Sequence, residues 1–143
     1  MGVLYDYFAA PSDEVAASVI DGGPAEHGFT TVPAKWLDPA VVMGKLEELL
    51  TGRAFDEVAV EPRSGGAVAV EHGGELMVLT VTDGLRDGLA AAGELADVAV
   101  RWAGIEELDG SDADVLEDVL RQLKELAATA VEKDERLYCW VCV

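Results

Sequence analysis

The sequence predicts a mixed α/β fold of the α+β kind: one sheet, including a central hairpin and the C-terminal strand, with about four helices packed on it. Three observations predict it. The stretch from Trp36 to Gly52 reads as a helix with both ends marked. Residues 67–82 read as two β runs around His72-Gly73-Gly74. A long amphipathic segment, residues 113–133, leads into a strongly apolar C-terminal run.

In chain order, residues 2–9 are rich in Val, Leu, Tyr and Phe and read as a strand. Alternation puts Val3, Tyr5 and Tyr7 on one face and Leu4, Asp6 and Phe8 on the other. Ser12 caps a helix to about Ile20, and Asp21-Gly22-Gly23-Pro24 stops it. A short strand is expected at residues 29–32. The marked helix follows. Asp38 can accept the orphan N–H groups of its first turn, Pro39 suits the first helical position, and Gly52 can close the last turn in a left-handed conformation. Val42, Met43, Leu46, Leu49 and Leu50 share one face, with Lys45, Glu47 and Glu48 on others.

Residues 55–60 fit a short strand or a loop. The hairpin runs come next, and Met77-Leu79-Val81 and Leu76-Val78-Thr80 define its faces. Asp83 caps a short helix over residues 84–92. Residues 95–102 read as a short extended piece with Val98 and Val100 on one side. The long helix carries Leu116, Val119, Leu120, Leu123, Ala127 and Ala130 as its stripe, with Glu117, Arg121 and Glu125 spaced for surface pairing. Residues 136–143 are apolar on both faces, as a strand in the sheet interior would be.

At 143 residues, with 50% hydrophobic content, the chain is expected to form one globular domain. No repeat or low-complexity linker divides it. No apolar run approaches the roughly 18 residues of a membrane span. Residues 1–10 hold an acid and no Lys or Arg, unlike a signal peptide, so a cytoplasmic location is expected. Ten Lys and Arg oppose 28 Asp and Glu, a formal net of −18. That field repels phosphate backbones and anionic lipid, so neither nucleic acid nor membrane is an expected partner. A basic protein partner is the candidate that such a surface suggests, although an acidic surface also serves solubility alone.

Three places resemble the YfbM-like family of small bacterial proteins of unknown function. The chain opens Met1-Gly2-Val3 with aromatics soon after and then a helix. The helix that begins Leu37-Asp38 and ends Leu49-Leu50-Thr51-Gly52 is similar to that family's Leu-Asp-Lys helix ending Leu-Leu-Thr-Gly. A long amphipathic helix precedes a hydrophobic C-terminal strand. Pro39 stands where the family tends to have Lys, and Lys45-Leu46 replaces a more aromatic helix face. The resemblance covers about half the chain. It implies a mixed α/β domain in a cytoplasmic bacterial protein and transfers no catalytic residue.

The chemistry-bearing residues assemble into no recognised motif. Cys139 and Cys142 form a C-x-x-C, but on a strand residues three apart face opposite sides, so inert thiols are expected. Ser64-Gly65-Gly66 lacks the strand-turn-helix context of a nucleophile elbow. His27 and His72, the only histidines, sit at turns. Residues 109–114 fail the calcium-loop pattern, with Gly at its second position and Leu120 at its twelfth. No catalytic residue, metal or cofactor is therefore assigned. The aromatics are the remaining candidates. A non-enzymatic binding or interaction protein is the first expectation. The alternative is a small-molecule binder or enzyme with a carboxylate and aromatic cleft near Asp38 and Trp36. The candidate binding residues are Tyr5, Tyr7, Trp36, Asp38 and Trp102, with core packing as the default for the tryptophans. Oligomeric state is left open.

Overall fold

A computed structural model describes residues 2–143; Met1, which opens the resemblance noted above, lies outside the described residues. Five strands form one antiparallel sheet: β1 (Leu4–Ala10), β2 (Val32–Pro33), β3 (Ala67–Glu71), β4 (Leu76–Thr80) and β5 (Arg136–Cys142). Their spatial order is β2-β1-β5-β4-β3. The C-terminal β5 lies in the middle, with Tyr7 opposite Cys139 on one side and Leu79 opposite Cys139 on the other. That position explains its unbroken apolar sequence, because both faces of a central strand are covered. The hairpin of β3 and β4 turns at His72–Gly74, and a bulge shifts its register between Ala67 and Ala69.

Among the described residues, six α-helices accompany the sheet: α1 (Asp13–Ala17), α2 (Val41–Thr51), α3 (Phe55–Ala59), α4 (Asp83–Ala91), α5 (Leu95–Ala103) and α6 (Ala113–Glu132). The alternation of β1 sorts the two cores as the sequence predicts. Tyr7 joins Leu137, Cys139 and Val141 beneath α2, α4, α5 and α6, while Phe8 and Ala10 join Val78, Tyr138 and Trp140 beneath α1 and the segment after it. Cys139 and Cys142 thus face opposite sides of β5 as free thiols. Burial pushes the Cys139 thiol well above its ordinary pKa and keeps it protonated.

The helix ends follow their caps. The Ser12 hydroxyl accepts from the Val15 N–H, although α1 ends at Ala17. Asp38 Oδ1 accepts from the N–H groups of Ala40 (3.0 Å) and Val41 (2.7 Å), and Gly52 closes α2 at φ +81°. Thr82, one residue before the Asp83 expected from sequence, caps α4 through the Leu85 N–H. Two segments differ in kind. Residues 55–60 hold α3 rather than a strand or loop. Residues 95–102 are not extended but form α5, capped by Glu94 at the Ala96 N–H. Leu95, Val98, Ala99 and Trp102 recur at helical spacing, and three of them are buried, whereas Val100 faces solvent. The two valines alternate over too short a run to outweigh that period. On α6, Arg121 pairs with Glu117 and Asp118.

Glu47 also departs from expectation. It is fully buried, between α2 and the start of α4, where the Thr82 hydroxyl donates to its Oε1. Its neighbours Leu46 and Met43 belong to the buried stripe, which is wide enough to include it.

Candidate functional site

The site begins with a turn between β2 and α2. The Ala34 N–H bonds to the Tyr5 carbonyl (2.9 Å) and continues the sheet for one residue. The Leu37 N–H then bonds to the Ala34 carbonyl (3.1 Å), closing a four-residue turn. The third position of such a turn can require positive φ, which normally selects glycine. Here it holds Trp36 at φ +74°. The turn is pinned from below: Leu37 is buried, and its carbonyl accepts a 2.5 Å hydrogen bond from the Tyr7 hydroxyl. Just beyond, the Asp38 carboxylate holds α2.

Trp36 is consequently displayed. Its residue is 68% exposed, against 0% for Trp102 and 7% for Trp140. The Lys35 ammonium lies 5.3 Å from the centre of a Trp36 ring. An aromatic side chain in the left-handed region costs about 1–3 kcal/mol, and burial of the indole does not repay it.

Beside Trp36 runs a groove of about 520 Å³. It is lined by Pro33, Lys35, Trp36 and Leu37, by Leu108, Gly110, Ser111 and Asp112, and by Val115, Leu116 and Val119 of α6. Val115 is an exposed apolar residue, like Trp36. Glu106, Glu107, Asp109, Asp112, Asp114, Glu117 and Asp118 lie in the segment that supplies part of this lining, with no Lys or Arg between them in sequence; Asp112 lines the groove, and Glu117 and Asp118 pair with Arg121. Asp112 caps α6 at the Asp114 N–H, and Glu107 pairs with Lys45 (2.6 Å). The result is a mainly apolar trough whose charged lining residues are Lys35 and Asp112, beside an acidic stretch of chain.

Of the residues singled out from sequence, Trp36 alone lines this groove. Asp38 serves as the helix cap. Tyr5 is half-buried; burial and then the nearby Asp38 charge raise its pKa. Tyr7 is buried, and burial raises its pKa well above the ordinary tyrosine value. Trp102 lies in the core, its indole N–H donating to the Val42 carbonyl at 3.2 Å, so it offers no surface to a ligand. The four members of the expected cleft, Tyr5, Tyr7, Trp36 and Asp38, thus support one turn rather than surround one cavity. Sequence reasoning missed Leu108 and Val115. Val115 carries a signal, an apolar side chain one position off the buried stripe of α6.

A second, more polar cleft of about 470 Å³ lies where α1, α4 and β5 begin. Several of its charges are paired. The Tyr138 hydroxyl donates to Asp13 (2.5 Å), Arg63 pairs with Asp13 (3.2 Å), and Arg136 with Asp83 (3.3 Å). The Tyr138 hydrogen bond holds the Asp13 carboxyl below its usual range, while burial pushes Tyr138 up to about 12.

Among the described residues, no three His, Cys, Asp or Glu side chains are placed to hold a metal ion, and no helix is long and apolar enough to cross a membrane. No family model, curated protein or solved structure matches the chain.

Proposed function

We propose that this protein is a non-enzymatic binding protein whose Trp36 groove takes a basic segment of a partner protein, with an aliphatic or aromatic anchor on that segment. The observation that carries the reading is Trp36 itself: a large aromatic held in a strained conformation, open to solvent, at the edge of an apolar trough. Strain of this kind persists where surrounding structure imposes it, and it concentrates at functional surfaces. Tryptophan is also among the residues enriched at binding hot spots.

Charge selects the partner. The overall field is strongly negative, and the loop and helix that supply part of the groove lining are rich in carboxylates. A cationic segment would be drawn in, while nucleic acid and anionic lipid would be repelled. A cytoplasmic location and kinship with the YfbM-like family belong to the same proposal; the kinship rests on Leu37-Asp38, Leu49-Leu50-Thr51-Gly52 and the C-terminal helix and strand. The small-molecule alternative is weaker, because Tyr7 is engaged inside the fold and Asp38 in capping.

Nuclear magnetic resonance titration tests the reading with short lysine-rich peptides carrying a central Leu, Phe or Trp, each against an acidic counterpart. The basic peptides are expected to shift the Trp36 indole N–H and the Val115 and Val119 amides saturably. Equal response to the acidic set, or no response at these positions, would overturn it.

A further inference from the structure

Glu47 is a buried carboxylate that the binding site does not use. Its side chain is 1% exposed. Oε1 accepts from the Thr82 hydroxyl, and Oε2 has no hydrogen-bond partner. The nearest cation is Arg53, 3.6 Å from Oε2, but that guanidinium lies closer to Glu61, at 3.2 Å. The carboxyl is wedged against the first turn of α4, where a Cβ on Gly84 would fall 2.3 Å from Oε2. A side chain at position 84 would therefore require the Glu47 carboxyl to shift. The other charges around it are accounted for: Glu57 approaches Arg53 at 4.0 Å, and Asp83 of α4 pairs with Arg136 at 3.3 Å.

We propose that Glu47 is a proton-linked joint: with its carboxyl neutral, α2 and α4 close on each other, and ionisation loosens the first turn of α4. An anionic oxygen without a donor is costly in the interior, whereas a protonated carboxyl can donate where the carboxylate cannot. Burial accordingly raises the Glu47 pKa, with Glu61 adding to the rise and Thr82 and Arg53 opposing it. The sign follows. A carboxyl whose folded pKa lies above its unfolded value contributes stability that is complete below the unfolded value, and loses it as pH rises through the folded value.

The test is a carboxyl-carbon magnetic resonance titration of Glu47 in the intact protein, assigned through the backbone. Thermal unfolding of wild type and Glu47→Gln is followed alongside, from about pH 4 to about pH 8. The Glu47 midpoint is expected above the ordinary glutamate value of about 4.3. Across that midpoint the advantage of E47Q in Tm grows, and wild-type amide protection at Leu85 and Arg86 falls while that of E47Q holds. A midpoint at or below the ordinary value, or parallel Tm profiles for the two proteins, would overturn the joint. Should E47Q fail to fold, the wild-type midpoint and its amide protection decide alone.

Discussion

Trp36 concentrates the account at the scale of one residue. Its positive φ is imposed by the hydrogen bonds on either side, from Ala34 to Tyr5 and from Leu37 to Ala34. Its indole contributes little to the core, being the most exposed of the three tryptophans. The two facts make opposite demands on substitution. Trp36→Gly relieves the backbone, so its stability is expected to match or exceed wild type. Trp36→Ala keeps the strain and loses the ring, and should be less stable than Trp36→Gly by about 1 kcal/mol. Thermal unfolding of the two variants ranks them, and the reverse order would remove the strain argument. Glu47 shows the opposite case, a charged residue type retained inside. Neither feature was legible in the sequence. The conformation of Trp36 depends on pairing between β2 and β1, and the burial of Glu47 depends on Thr82, 35 positions away.

At the scale of elements, local signals were sufficient wherever a cap or a long period marked the segment. α2 shows this most clearly: Asp38 takes N–H groups at its start and Gly52 closes its end as the sequence predicts, although the helix begins at Val41 and leaves Pro39 in the turn before it rather than at its first position. Asp38→Ala should therefore lower stability by about 1–2 kcal/mol, a drop of a few degrees in Tm, with the loss focused on protection of the Ala40, Val41 and Val42 amides. Uniform loss of protection across α2 would assign Asp38 another role. The central hairpin and α6 were equally readable from alternation and helical spacing, and β5 from its unbroken apolar run. The short elements were not. α5 was obscured by Val98 and Val100, two β-branched residues that mimic alternation, and its acidic cap, Glu94, is a less usual capping type. α3 has five residues and no side-chain cap. The candidate site was legible only in part: Trp36 could be named, but Leu108 and Val115 meet it only through packing of distant segments.

The whole molecule places one open trough against a field of net charge −18. The sheet separates two cores, and Trp36, Leu37 and α6 meet on the side that carries four of the helices. Long-range attraction would bring a basic segment to this surface, and the apolar walls would decide what stays. Attraction between exposed charges weakens as the screening length falls, from about 10 Å at 0.1 M salt to about 3 Å at 1 M, whereas apolar contact does not weaken in that way. The central claim is tested most directly by tryptophan fluorescence, which reports the site because Trp36 is the exposed indole. The measurement is a titration of wild type and Trp36→Gly with a lysine-rich peptide bearing a central Leu-Phe pair, at low and high salt. A saturable blue shift is expected in wild type, weakened by salt and abolished in Trp36→Gly. Binding of equal strength in both proteins, or no spectral change in wild type at low salt, would contradict it.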